Sequence, residues 1–384
     1  MNTLNLGELT PERFLREYWQ KKPLLIRNAF ADFQPVVEAD ELAGLACEDE
    51  VESRLVVQSP DSDDWSLRQG PFGEDDFASL PPSHWTLLVQ AVDHWVPEAA
   101  ELMAQFDFIP SWRRDDLMIS YAVDGGGVGP HYDNYDVFLI QASGRRRWEL
   151  GGRYDETSPR REDAPVMILP DWQAEESWVL EPGDMLYVPP QVGHNGFAVG
   201  DDCMTYSVGF RAPSHAEIMR HFTDFVGERL RGEDRYRDAD LGVAANPAEI
   251  GPDAIQRLRE ILHRYIDDDR LLGEWFGRYM TEPKYAELDQ APEEPVTVAE
   301  LREFLDTGGS LSRNEGTRLA YRRQGDGWQL FADGELYRGD DRQGALFASI
   351  CGGGGLELGE DREFAFELLT QLVNQGVFFA DEPD

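Results

Sequence analysis

Cysteine is nearly absent from this 384-residue chain: Cys47, Cys203 and Cys351 are the only three. They are scattered and show no C-x-x-C spacing. That excludes a disulfide framework and a zinc knuckle, and reads as buried thiols in a reducing compartment. Positive charge is also short, with 35 basic residues against 74 acidic ones and a net charge of −39. Such a balance argues against non-specific binding to DNA, RNA or an anionic membrane, each of which needs a basic footprint. It suits a basic partner, and equally suits simple solubility or life in a salty cytoplasm. No apolar run approaches the roughly 20 residues needed to cross a bilayer. The N-terminus lacks a basic stretch followed by an apolar one, so no signal peptide is expected. These absences point to a cytoplasmic protein. Its length suggests two or three domains with a sizeable core.

What is present begins with a well-capped helix. Thr10 serves as N-cap, Pro11 stands at the first helical position and Glu12 lies near the positive dipole end. Lys21-Lys22-Pro23-Leu24-Leu25-Ile26-Arg27 reads as a switch to a short strand after the proline. Asp40 is placed to cap a second helix over Glu41 to Cys47. Residues 50–77 read as one strand, Ser53 to Gln58, and polar loop. Trp85 to Trp95 has helical spacing (Leu87, Leu88, Ala91, Trp95), with more helix to about Phe106. From Asp116 the period becomes two, so that Leu117, Ile119, Tyr121 and Val123 face one way and Met118, Ser120 and Ala122 the other. Further strands are expected at Tyr135 to Gln141, Arg145 to Leu150, Val166 to Leu169, Trp178 to Leu180, Met185 to Val188 and Thr205 to Phe210. Many short strands with Gly/Pro turns indicate an antiparallel barrel or jelly roll.

After Pro213 the pattern turns helical. Ser214 can cap a helix to about Leu230, and Gly232 to Pro247 is acidic and irregular. Ile255, Leu258, Ile261, Leu262 and Tyr265 form an apolar stripe that needs a surface to bury against, and Leu271 to Met280 continues the helix. A dimer interface and the chain's own barrel are both open as that surface. Glu282 to Pro295 reads as a linker, and Thr297 with Glu300 as a capping box. A meander over residues 317–338, a helix near Gln343 to Ile350, glycines 352–355 and a helix from Arg362 to Asn374 resemble a winged helix. Its recognition segment, Ala345 to Cys351, carries no basic residue, which argues against DNA reading.

Among seven histidines, His84 and His94 lie on or beside the helix assigned over Trp85 to Trp95, and His215, His221 and His263 read as helix-surface residues. His131 and His194 stand apart, each at a strand end after Gly/Pro punctuation. In Gly129-Pro130-His131-Tyr132-Asp133, residues i and i+2 of an extended chain aim the imidazole and the carboxylate at one point. With His194 they make two His and one carboxylate, the facial set of non-haem Fe(II) oxygenases. Zinc fits the same ligands and would make a hydrolytic centre, although no second motif carboxylate stands ready as a base. Arg146, in Gly144-Arg145-Arg146-Arg147-Trp148, alternates with Trp148 and Leu150 and so should point into the barrel. A buried arginine needs an anionic partner, which a dicarboxylate such as 2-oxoglutarate supplies in bidentate form. The alternative is a solvated three-arginine hairpin. The glycines before His131 are followed by neither a helix nor a P-loop lysine. They read as a place where backbone passes close to metal and substrate.

Several stretches together resemble the bacterial ribosomal oxygenases. They are Tyr18-Trp19-Gln20-Lys21-Lys22-Pro23-Leu24, Gly129 to Phe138, Gly144 to Trp148, and Pro189-Pro190 leading to His194. These enzymes are JmjC-type, cupin-fold 2-oxoglutarate oxygenases that hydroxylate an arginine of ribosomal large-subunit protein 16. The resemblance covers nearly the whole chain. It implies an α+β fold with a mostly β core: a double-stranded β-helix barrel, then a helical dimerisation region, then a winged-helix-like domain, at residues 1–212, 213–285 and 286–384. It implies Fe(II) on His131, Asp133 and His194, and 2-oxoglutarate and O2 as co-substrates. Arg146 and Ser120 would hold the 2-oxoglutarate carboxylate. The substrate would be an arginine β-carbon of that ribosomal protein, and the enzyme a cytoplasmic homodimer without direct DNA or membrane binding. Asp115 and Asp116 are candidate guanidinium contacts or a plain strand start. Asn195 and Thr205 stand where other polar residues are expected. Competing readings are another cupin metal enzyme, a demethylase of the same chemistry, and a non-enzymatic cupin joined to a winged helix.

Overall fold

The structure is a computed structural model that describes residues 3–62, 64–286, 288, 291–352 and 356–381. It divides into two compact units, Met1–Ala212 and Pro213–Asp384. Among the described residues no helix is long and apolar enough to cross a membrane.

The first unit opens with α1 (Pro11–Glu17), whose Arg13 amide is capped by the Thr10 hydroxyl. Next come β1 (Leu24–Ile26), α2 (Ala39–Leu45), β2 (Ser53–Ser59), β3 (Asp64–Gln69), α3 (Glu74–Ala78), β4 (Trp85–Val89) and α4 (Pro97–Ala104). The remaining strands are β5 (Arg114–Ala122), β6 (Val137–Ser143), β7 (Arg146–Arg153), β8 (Glu176–Leu180), β9 (Met185–Val188), β10 (Val192–Ala198) and β11 (Cys203–Phe210). An eight-stranded antiparallel sheet runs β1-β9-β6-β11-β5-β4-β2-β3, and a smaller sheet runs β10-β7-β8. Isolated bridges Gly127↔Phe197 and His131↔His194 bring the glycine-rich segment alongside β10.

Side-chain alternation decides which way each strand looks. On β6, Phe138 and Ile140 enter a core beneath the N-terminal helices with Phe14, Leu42, Phe106, Tyr187 and Phe210. Val137 and Leu139 of the same strand turn the other way and pack with Trp148, Leu150, Leu180 and Leu186 between the two sheets. The helix-side core is aromatic. The Phe14 ring lies 5.5 Å from Phe138 and 5.0 Å from Tyr187. Asp136 is fully buried there, accepting from the Tyr187 hydroxyl at 2.6 Å and from Gln20 Nε2 at 2.9 Å.

Five expectations need correction. Trp85–Val89 is a strand deep within the large sheet rather than the start of a helix. Short apolar runs do not distinguish the two states by periodicity, and the β-branched and aromatic residues here favour the strand. Asp64–Gln69 is a strand, not loop; its polar face is exposed, as befits an edge. Val166 to Leu169 forms no strand. His194 lies within β10, not at a strand end, and that strand escaped notice because Gly193 and Gly196 break its apolar alternation. The second helix begins at Ala39 with Glu38 as its cap and Glu41 closing the capping box, in place of Asp40.

The second unit holds α5 (His215–Gly227) with its Ser214 capping box, α6 (Pro252–Ile266) and α7 (Asp269–Thr281). After them come α8 (Val298–Asp306), β12 (Ser310–Arg313), the meander β13 (Leu319–Gln324), β14 (Gly327–Ala332) and β15 (Glu335–Asp340), α9 (Gly344–Cys351), α10 (Arg362–Asn374) and β16 (Phe378–Asp381). Leu301, Leu330, Phe347, Leu369 and Val377 are buried in its core. Glycines 353–355 lie outside the described residues. On α6 no residue is buried: Ile255, Leu258, Leu262 and Ile266 are 43–49 % exposed along one stripe.

Candidate metal and co-substrate site

Between the two sheets of the first unit lies a cavity of about 390 Å³. Strand register builds its floor. Arg54 stands opposite Leu88, Leu88 opposite Ser120, Ser120 opposite Thr205, and Thr205 opposite Gln141. Directly opposed residues share a face of a sheet, so these five side chains form one row. Arg146, Trp148 and His194 descend from the smaller sheet, and His131 and Asp133 come from the segment beside it.

His131, Asp133 and His194 converge, with one ligand atom of each within 4.8 Å of the others. Oδ2 of Asp133 is 3.5 Å from His194 Nε2 and 4.0 Å from His131 Nε2. Nδ1 of His131 faces the Gly129 carbonyl at 2.8 Å, and Nδ1 of His194 faces the Val192 carbonyl at 3.0 Å. A carbonyl only accepts, so both rings carry their proton on Nδ1 and turn the Nε2 lone pair to the common point. Burial, and then the neighbouring His131, push the His194 imidazole down to about 4. It is therefore neutral and able to ligate at physiological pH. The fit to a divalent cation is good: two imidazoles and a carboxylate on one side, with the cavity on the other.

Arg146 is 3 % exposed and turned inward as its alternation requires. Its Nη2 donates to the Gly196 carbonyl at 3.1 Å, while Nε and Nη1 are buried without a hydrogen-bond partner. Burial lowers its affinity for the proton, but a guanidinium stays charged. An orphaned, buried cation beside a metal-ligand cluster calls for a carboxylate. The Ser120 hydroxyl donates over a long 3.3 Å to the Thr205 carbonyl and can turn to such a carboxylate instead. Thr205 cannot. Gln141 Nε2 donates to the Ser143 and Met204 carbonyls at 2.8 and 3.2 Å, which fixes its amide so that Oε1 receives the Thr205 hydroxyl at 3.2 Å. Thr205 thus offers the cavity lone pairs only. Sequence reading missed Gln141 in this role; its place inside an apolar strand was the available signal.

Within the glycine run, the Gly129 carbonyl meets the His131 ring and Val128 lines the cavity, while Gly125, Gly127 and Gly129 also line a second groove. A Cβ on Gly127 would stand 2.3 Å from the Gly196 carbonyl oxygen. The glycine is needed to lay this segment against β10, which brings His131 beside His194. Asp116 is buried, and one carboxylate oxygen accepts from Gln90 Nε2 and the Ala91 amide. Asn195 points out of the cavity and donates to Glu149, which also receives the Trp172 indole. Tyr135, 43 % exposed, marks the mouth, and its hydroxyl turns toward Asp133. Arg54 and the Pro165–Met167 loop also line the cavity and were not singled out from sequence.

Comparison with known proteins agrees with this geometry. The JmjC domain family matches residues 101–218, and the ROXA-like winged helix matches 264–379. The ribosomal protein uL16 3-hydroxylase of Escherichia coli is 40 % identical over 95 % of this chain and 96 % of its own length. A probable ribosomal oxygenase of Haemophilus influenzae is 34 % identical over 85 % and 82 %. The solved structure of the Escherichia coli ribosomal oxygenase in complex with cobalt and 2-oxoglutarate superposes with a TM-score of 0.86. It is 37 % identical and covers 99 % of this chain and all of that one. This chain therefore belongs to the JmjC-domain ribosomal oxygenase family.

Proposed function

We propose that this protein is an Fe(II)- and 2-oxoglutarate-dependent dioxygenase that hydroxylates the β-carbon (C3) of an arginine in ribosomal large-subunit protein 16. The observation that carries the reading is Arg146: a buried guanidinium with two orphaned nitrogens, in one cavity with a His-Asp-His cluster. The relative named as a uL16 3-hydroxylase supplies the substrate, and the cobalt and 2-oxoglutarate complex supplies the co-substrate. His131, Asp133 and His194 would hold the iron; Arg146 and Ser120 would hold the distal carboxylate of 2-oxoglutarate. When bound, iron and 2-oxoglutarate supply oxidation of a C–H bond by dioxygen, with succinate and carbon dioxide as co-products.

The chain's own part is orientation. The Gly129 and Val192 carbonyls keep both imidazoles in the ligating tautomer. Gln141 removes the Thr205 proton from competition, so Arg146 and Ser120 meet the carboxylate without a third donor pulling it aside. Leu88, Met118, Val128, Val137 and Leu139 give the pocket apolar walls that strengthen these polar contacts. The net charge of −39 suits a basic ribosomal protein. A cytoplasmic setting goes with that substrate and with the three free thiols.

The same reading includes a homodimer formed through residues 213–285, with 286–384 as the winged-helix-like part, and no direct DNA binding. The exposed Ile255, Leu258, Leu262 and Ile266 stripe of α6 supports the dimer. Succinate release from 2-oxoglutarate, dependent on Fe(II) and stimulated by a uL16 peptide that gains one oxygen atom by mass spectrometry, tests the function. Absence of coupled turnover, or turnover indifferent to Asp133→Ala, would overturn it.

A further inference from the structure

The chain carries a net charge of −39, yet its cavity must admit a dianion if the reading above is right, and the following inference rests on that reading. Among the described residues, two arginines and no lysine line the cavity. Arg146 is buried, 3 % exposed, in the same cavity as the metal cluster. Arg54 is at one end of the floor row, two strands from Ser120, or about 10 Å at ~4.8 Å per strand. It is half-buried and near enough to Tyr135 at the mouth to act on it electrostatically. Nη2 of Arg54 donates to Gln90 Oε1 at 3.0 Å, and Gln90 Nε2 donates onward to Asp116 at 2.7 Å. A neutral amide thus stands between Arg54 and the Asp116 carboxylate. Among the described residues Arg54 makes no ion pair.

An arginine with one neutral hydrogen-bond partner keeps most of its five N–H donors unused and its charge unmatched by an ion pair. The Asp133 and Asp116 carboxylates also act on Tyr135, so Arg54 is the charge that offsets a negative mouth for an incoming dianion, in a cleft whose low-dielectric walls focus the field.

We propose that Arg54 is a positioning residue for admission of the dianionic co-substrate: it draws 2-oxoglutarate past Tyr135 and hands it to Arg146. Its contribution lies in association, not in the seated complex. For a dianion and a single charge ~10 Å apart in water, Coulomb attraction accelerates encounter about fourfold at low ionic strength. The effect disappears near 1 M salt, where the Debye length is about 3 Å.

The test uses the full chain loaded with Mn(II) in the absence of dioxygen. Indole fluorescence is followed by stopped flow as 2-oxoglutarate is added, with Trp148 in the cavity wall as reporter. Arg54→Gln should lower the association rate about fourfold in low salt, leave the dissociation rate in place, and match the parent at 1 M salt. Arg54→Lys, which keeps the charge, should restore the rate. In turnover the loss should appear in KM for 2-oxoglutarate and not in KM for the peptide. An unchanged association rate, a defect that persists in high salt, failure of lysine to rescue, or an effect confined to the peptide would each overturn the proposal. If 2-oxoglutarate does not bind the parent protein at all, the functional reading itself fails.

Discussion

The Arg146 guanidinium lies 5.2 Å from the centre of the Trp148 ring, two residues along the same strand. The nitrogens Nε and Nη1 of the one and Nε1 of the other are buried and unpartnered. The indole face supports the cation while leaving its hydrogen-bonding edge free for a carboxylate. Arg146→Ala should raise the 2-oxoglutarate requirement by at least about tenfold, the least expected from losing a hydrogen bond to a charged group. Metal affinity should hardly change. Isothermal titration with Mn(II) and then with 2-oxoglutarate separates the two; loss of metal binding would mean Arg146 supports the cluster instead.

Removing a ligand should act in the opposite way. Asp133→Ala and His194→Ala should each weaken divalent-metal binding by more than the 10–100-fold typical of supporting contacts, and abolish coupled turnover. Metal titration followed by a succinate assay checks both. Wild-type affinity in Asp133→Ala would remove this carboxylate from the site.

The buried His194 gives metal-free protein a pH signature. Its imidazole is held down at about 4, chiefly by burial, against an ordinary value of 6.5. The unfolded chain therefore takes up a proton before the folded one does. Stability is full above about pH 6.5, declines as pH falls toward about 4, and loses nothing further from this group below that. The size is up to about 3 kcal/mol at 1.36 kcal/mol per unit. Thermal melts across pH 7 to 4 should show His194→Gln with a shallower decline than the parent.

In the helix-side core, Tyr187→Phe deletes the hydroxyl that donates to Asp136 at 2.6 Å and leaves a buried carboxylate oxygen without that donor. A loss of about 1–3 kcal/mol is expected without change in metal affinity. Urea unfolding paired with a Mn(II) titration measures both, and an undiminished midpoint would place the stabilisation elsewhere.

On α6, Leu258→Glu with Leu262→Glu puts charge into the exposed apolar stripe. The double variant should sediment as a monomer with metal binding intact, whereas the parent sediments as a dimer. A monomeric parent would refute the proposed interface.

The chemistry was legible in the chain because it depends on local rules. Period-two alternation sent Arg146 inward with Trp148 and put Ser120 on one face of β5; the i, i+2 relation paired His131 with Asp133. Capping chemistry marked Pro11–Glu17, His215–Gly227 and Val298–Asp306 from Thr10, Ser214 and Thr297. What failed was also local. Trp85–Val89 is too short for its apolar run to reveal its period, and β10 is broken up by glycines whose purpose is visible only beside a neighbouring backbone. Tertiary structure alone decided that His194 stands across from His131, since a bridge between segments 63 residues apart in sequence leaves no local trace. It alone set Arg54, Leu88, Ser120, Thr205 and Gln141 in one row, because strand register is a relation among five chain segments. Residue types and alternation therefore specified which groups face inward; pairing between distant strands determined which of them meet.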